Sequence, residues 1–377
     1  MASAGGGHTV LLQSDGTAVA FGWNGAGQCE IEQLPDGTLY AQVSAGSTHT
    51  VLLRSDGCAV AVGDNKNGQC NIPPLDAGMS YTQVSAGYMH TVLLRSDGSA
   101  VACGLNNLGQ CSIPLVEEGV AYTQVSAGGG HTVLLRSDGC AVACGMNEDG
   151  QCNIPLLGEG LSYTQVCAGY RQTWLLKSDG SVIGCGDTKY RVLDLPTLDD
   201  GVFYMQVSAG QSHAVLLQSD GCAVACGRDI ENQCTIPPLT EGLTYTQVSA
   251  GHNHTLLLRS DGSVVACGAN DEKQCSIPAL EPGKLYIGDV RARAFQVTFD
   301  CTDEGVILTC WTLAGQKVLP LTTSLSDLAW YSHRRIAQEL KVSLQSLRLI
   351  LPDGQLFASI CRANAKIMIE HLAMADY

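Results

Sequence analysis

A 41-residue frame recurs seven times without insertion or deletion, and no other feature constrains this chain so tightly. In full it reads Gly-x-x-His-Thr-Val-Leu-Leu-Arg-Ser-Asp-Gly-x-Ala-Val-Ala-Cys-Gly-x-Asn-x-x-Gly-Gln-Cys-x-Ile-Pro, then a linker and Tyr-Thr-Gln-Val-Ser-Ala-Gly. Its histidine slot falls at His8, His49, His90, His131, Gln172, His213 and His254. The turn glycine keeps step at Gly16, Gly57, Gly98, Gly139, Gly180, Gly221 and Gly262. One such unit cannot bury its own apolar face, so periods of about 20–50 residues imply stacked architectures: solenoids, propellers or arrays. Ser137-Asp138-Gly139, set between the apolar runs His131–Leu135 and Cys140–Cys144, predicts a hairpin with a type I′ turn. Those runs are apolar throughout rather than alternating, which predicts strands covered on both faces. Tyr122–Val125 predicts a further strand, and Cys152–Ile154 a short fourth that ends in a proline suited only to an edge. Four short antiparallel strands describe a propeller blade, and seven copies predict an all-β, seven-bladed ring over residues 1–290. The first copy lacks the Tyr-Thr-Gln-Val strand, so Leu285–Val290 is expected to pair into its blade and close the ring. The alternative is a chain that starts mid-repeat, with more sequence upstream.

The frame resembles the regulator of chromosome condensation family. The resemblance rests on Gly128-Gly129-Gly130-His131, Asp138-Gly139 and Gly145-Met146-Asn147-Glu148-Asp149-Gly150-Gln151, recurring in fixed register. A family leucine after the glutamine is cysteine here (Cys29, Cys70, Cys111, Cys152, Cys234 and Cys275). No Trp-Asp dipeptide supports a WD propeller, and no Gly-Trp-Arg-His-Thr motif supports the family's light-sensing branch.

Charge narrows the function. The formal net charge is −15, and residues 1–290 hold 12 Lys+Arg against 28 Asp+Glu. An acidic ring repels phosphate backbones, so no nucleic-acid partner is expected. No apolar run reaches membrane-spanning length, and no signal peptide opens the chain. A cytoplasmic or nuclear protein is expected, not a secreted one.

The cysteines follow the repeat, so equivalent thiols lie in blades roughly 10 Å apart, beyond disulfide reach. They are expected to be reduced, metal-free and hydrophobe-like. The six repeat histidines share one rotation and cannot converge on a metal. Each is expected to bond backbone where blades pack. No nucleophile elbow, P-loop or paired catalytic carboxylates occur, so neither a cofactor nor catalysis is expected.

If the frame is scaffold, function should sit where copies differ. The fifth copy departs most, with Tyr170-Arg171-Gln172-Thr173-Trp174 and Asp187-Thr188-Lys189-Tyr190-Arg191. Loops carrying Tyr and Arg have the composition of interaction hot spots. Tyr170, Arg171, Lys189, Tyr190 and Arg191 are the expected partner-binding residues, with Trp23 and Arg228 as outliers. An acidic segment of a protein partner would suit them.

Beyond a linker at 291–304, residues 305–377 read as hairpin (306–321), helix (327–340), strand (347–351), turn (352–355) and strand (366–372). That order resembles a ubiquitin-like α+β (β-grasp) domain, which implies a receptor-binding patch at Leu313 and Ile350. The chain ends Ala375-Asp376-Tyr377, without the Gly-Gly tail of a conjugated modifier. The combined expectation is a non-catalytic interaction scaffold or adaptor with a possible tie to the ubiquitin system. The alternatives are a substrate-recruiting piece of a HECT-type ligase and an exchange factor for a small GTPase. The unbroken spacing leaves no room for the exchange factor's wedge.

Overall fold

The computed structural model describes residues 1–35 and 37–288 in full, and the backbone of 293–302, 305–312, 317–323 and 347–350. The chain divides into Met1–Gly288 and Asp289–Tyr377.

In the first unit seven antiparallel sheets follow one another, one per copy, each with its strands in chain order. The fourth blade is typical: Tyr122–Ala127 pairs with His131–Arg136, which pairs with Ala141–Gly145. Middle strands such as His131–Arg136 are buried over five consecutive residues, as the unbroken apolar runs predict. Both faces of each middle strand meet a neighbouring blade. Val133, Leu135, Tyr163, Val166 and Leu175, for example, form one cluster between the fourth and fifth blades.

The blades have three strands rather than the expected four. In the Cys-x-Ile-Pro segment the Cys152 N–H donates to Asn147 Oδ1 (2.9 Å) and the Ile154 N–H to the Cys152 carbonyl (2.9 Å). Proline has no N–H, so the segment's donors are spent locally and none is left for a ladder. The hairpin turn also differs from the expected type I′. Only the glycine takes positive φ (Gly139, 82°), its N–H donates to the Arg136 carbonyl (3.0 Å), and Arg136 pairs with Cys140 (2.8 Å). This is a three-residue loop, a type I turn followed by a left-handed glycine. Asp138 sets it by accepting the Cys140 N–H (2.9 Å).

The ring closes. The N–H after each axial glycine donates to the glycine carbonyl of the next blade, from Gly6 to Gly46 (2.9 Å) around to His252, which donates to Gly5 (3.1 Å). A Cβ at Gly46 would lie 2.6 Å from the Gly87 carbonyl oxygen, so these positions admit only glycine. The first blade's inner strand is composite. Ala2–Ala4 pairs with His8–Leu12, while the Ile287 N–H donates to the Leu12 carbonyl (3.0 Å) and the Ser14 N–H to that of Leu285 (2.8 Å). The Met1 amine donates to the Gly288 carbonyl (3.0 Å). Residues 285–287 therefore supply the expected closure, but the N-terminal residues supply the rest of the strand.

The second unit carries a four-stranded sheet ordered Lys317–Thr323, Gly305–Thr312, Arg293–Thr302, Leu347–Ile350, antiparallel except for its last pair. Arg293–Thr302 occupies most of the stretch read as linker. The expected helix at 327–340, the turn, the last strand and Leu313 lie outside the described residues, as does the side chain of Ile350.

Candidate interaction surface

The buried polar groups turn out to be seams between blades. His131 Nε2 meets Thr173 Oγ1 of the next blade (2.9 Å), and Thr173 Oγ1 donates to the Gln151 carbonyl (2.7 Å). Since the threonine hydrogen is spent on that carbonyl, Nε2 carries the imidazole proton and Nδ1 is bare. The relay recurs at His8, His49, His90, His213 and His254, the last reaching Thr9 (3.1 Å). The histidine partner is thus a hydroxyl, not the expected backbone. All six are fully buried, their Nδ1 atoms have no partner, and desolvation lowers them to a pKa of about 3 to about 4.

One seam is built differently. Between the fifth and sixth blades the three slots hold Gln172, Val192 and Ala214, each buried. Gln172 donates to the Gly210 carbonyl (3.1 Å) instead. Trp174 fills the space beside Val192 and Ala214, and Gly184 stands where other copies have alanine, 3.4 Å (as a Cβ) from the indole. Five linked changes, Gln172, Trp174, Gly184, Val192 and Ala214, thus keep this seam closed with apolar packing.

The thiols are half-buried rather than core. Cys152 Sγ lies 3.1 Å from the Met146 carbonyl, Cys234 Sγ 3.3 Å from that of Arg228. Desolvation pushes Cys103, Cys144, Cys226 and Cys267 up to about 12. Cys58 and Cys140, beside the Asp-Gly turns, are exposed. A thiol reagent should therefore label Cys58 and Cys140 of the native protein first and Cys103 or Cys144 at least tenfold more slowly. Denatured without reductant, all 18 should react. Peptide mapping checks both, and several missing thiols would overturn the reduced assignment.

The two ends of the ring differ in charge. The Asp-Gly end presents Asp15, Asp56, Asp97, Asp138, Asp179, Asp220 and Asp261, one per blade, and linker carboxylates such as Glu117 and Glu281, which together outnumber Arg54, Arg95, Arg136, Lys177 and Arg259 of the same turns. Of these aspartates only Asp15, Asp56 and Asp138 are ion-paired among the described residues. The Gly-x-x-His end carries the variable slots. Tyr88, Tyr170 and His252, from the third, fifth and seventh blades, meet over the axis: the Tyr88 ring centroid is 5.4 Å from Tyr170 and 5.9 Å from His252. Side chains from non-adjacent blades can touch only at the axis, so they cap it.

Further out, Lys189–Arg191 forms one 3₁₀ turn in which Tyr190 and Arg191 both take left-handed backbone (φ 62° and 56°). Tyr190 is 43% exposed. Lys189 Nζ stands 5.0 Å and Arg228 Cζ 5.4 Å from its ring centroid. Among the described residues neither cation has an ion pair. Buried Val192 anchors the turn.

The structure thus brings Lys189, Tyr190 and Arg228 together, with Arg191 adjoining but paired to Asp194 (3.0 Å). Arg171 is no free cation: it pairs with Asp149 (3.2 Å) and Glu148 (3.6 Å) of the preceding copy. Tyr170 belongs to the axial cap. Trp23 sits apart in the first copy, where a Cβ at Gly25 would lie 2.6 Å from it. Tyr88 and His252 were not expected at a site, although both fill the same slot as Tyr170 on alternate copies. Among the described residues no cluster of His, Cys, Asp or Glu could hold a metal, and no helix is long and apolar enough to cross a membrane.

Comparison with known proteins agrees with this geometry. The regulator of chromosome condensation (RCC1) repeat description matches residues 40–69, 81–110, 122–151 and 245–274. Four of the seven copies are thus matched as repeats of this type. No curated protein matches the chain significantly in sequence. Among solved structures, Prp20p from Saccharomyces cerevisiae is 18% identical, covering 72% of this chain and 83% of that one, with a TM-score of 0.60. Human WBSCR16 is 19% identical, covering 68% of this chain and 86% of that one (TM-score 0.57). The CRINKLY WD40 ectodomain of the Arabidopsis thaliana receptor kinase ACR4 is 21% identical, covering 72% and 96% (TM-score 0.57). The likeness is one of fold, an RCC1-type propeller.

Proposed function

We propose that the chain is a non-catalytic protein-interaction module whose propeller binds an acidic segment of a partner at the seam of the fifth and sixth blades. The observation that carries this reading is the pair of unpaired cations, Lys189 and Arg228, converging on the exposed Tyr190 ring. A carboxylate there would gain charge-assisted bonds over an apolar ring, a combination typical of hot spots. Tyr190 holds left-handed backbone without being glycine, a cost usually kept where a side chain must be aimed. Prp20p, of like fold, is described with its binding to Gsp1p and histones, which favours a protein partner here. An exchange-factor role would need a wedge that the blades do not carry within their 41-residue spacing. The tie to the ubiquitin system rests on the sequence of residues 305–377 alone.

The test is binding of a fluorescein-labelled poly-glutamate peptide by anisotropy. Lys189→Ala with Arg228→Ala should weaken it at least about tenfold, roughly 1.4 kcal/mol. Raising salt should weaken it as well, because exposed charges are screened within about 10 Å at 0.1 M. Unchanged affinity in the double variant would defeat the proposal.

A further inference from the structure

We infer that the same end of the propeller carries an apolar anchor site along the fourth copy, so that one partner segment binds with an acidic stretch and an adjoining aliphatic residue. This rests on the reading above and adds the second half of the footprint. In its variable slots the fourth copy has glycine twice, Gly129-Gly130. Neighbours lie over that bare backbone: a Cβ at Gly129 would be 2.7 Å from Tyr170 Cδ2, and one at Gly130 would be 3.2 Å from Leu108 Cδ1 and 3.4 Å from Met146 Cβ. Side chains of the third, fourth and fifth copies thereby join into one apolar strip. It runs outward from the Tyr88–Tyr170 edge contact at the axis to Leu108, which is 44% exposed.

Charge decides what can occupy it. The formal charges nearest the strip, one cation (Arg171) against two carboxylates (Glu148 and Asp149), leave a net negative charge there. That surplus repels an acidic side chain, so the strip takes the uncharged part of the segment. One blade further round stand the unpaired Lys189 and Arg228. The complementary ligand is a segment that is aliphatic at one point and acidic beside it. Met146 fits such a role, because an unbranched thioether repacks around differently shaped anchors. Tyr170 links the halves: its loop backbone belongs to the cationic copy and its ring to the strip.

Two labelled peptides of about a dozen residues test this, one with glutamates followed by leucines, the other with serines replacing the leucines. The parent should bind the leucine peptide at least about tenfold tighter. Leu108→Ser with Met146→Ser should abolish that preference and leave the serine peptide's affinity unchanged. Lys189→Ala with Arg228→Ala should weaken both peptides alike. Thermal melts of each variant check folding, and Leu108→Met serves as a conservative control that should keep the preference. Equal binding of the two peptides by the parent would overturn the anchor while sparing the proposed function. Binding of neither would defeat the function itself. A leucine preference that survives in the serine variant would place the anchor elsewhere and also overturns the inference.

Discussion

Between pH 6.5 and about 4 the propeller should lose most of its stability and unfold in one cooperative step. Six relay histidines are fully buried and held by desolvation at a pKa of about 3 to about 4, whereas in an unfolded chain each titrates near 6.5. Within that window the unfolded chain binds more protons than the folded one, so stability rises with pH and is lost as pH falls. Above pH 6.5 the term is fully present; below the folded values nothing more is lost. At pH 5 each histidine forfeits roughly 2 kcal/mol, and six together about 12 kcal/mol, comparable to the whole stability of an ordinary domain. Turn aspartates such as Asp97 and Asp179, lowered by hydrogen bonds from Ser99 and Ser181, add to the loss only nearer pH 3 to 4. Circular dichroism against pH, with urea titrations at several values, checks this. The stability slope should report several protons taken up on unfolding. His131→Gln with Thr173→Ala, copying two of the three slots between the fifth and sixth blades, should lower the slope by one proton. A denaturant midpoint at pH 4.5 equal to that at pH 7.5 would show the expectation to be wrong.

The second large effect concerns closure. Tyr286 is 3% exposed, packs with Ala2, Leu11, Leu256 and Val264, and donates its hydroxyl to the Pro278 carbonyl (3.0 Å). Tyr122 holds the equivalent slot in the fourth blade, donating to Pro114 (2.8 Å). Replacing either with alanine removes a buried ring and should cost about 3–5 kcal/mol. The two should differ in where the ring loosens. Around Tyr122 the chain is continuous, whereas Tyr286 holds a strand whose continuation, Ala2–Ala4, comes from the other end of the unit. Hydrogen exchange should therefore quicken selectively at residues 2–12 in Tyr286→Ala, with no comparable segment in Tyr122→Ala. Equal, uniform exchange in both variants would mean that closure needs no contribution from residues 285–288.

What could be read in advance was whatever the frame repeats. Invariant spacing of Gly46, Asp56-Gly57 and Gly63 sets blade number and strand direction, because each slot meets the same neighbour a rotation away. Local competition was less legible. Cys152-Asn153-Ile154 looks like a strand, yet whether its N–H groups join a ladder depends on Asn147, five residues earlier, taking the first of them. Long-range pairing was hidden altogether. Arg171 looked free because its partners Glu148 and Asp149 belong to the preceding copy. The axial cap was missed because a list of slots does not show that alternate blades meet at the centre, where Tyr88 finds His252 across 164 positions of sequence.

The separation of charge between the two ends makes the propeller an oriented object. Near a positively charged surface, whether an exchange resin or a basic protein, attraction acts on the Asp-Gly end and turns the molecule about a transverse axis. It would then stand on its ring of aspartates with Tyr190 and Leu108 facing solution. Adsorbed in that pose, it should still bind the peptides described above, whereas attachment through Lys189 itself would press the Tyr190 ring against the support.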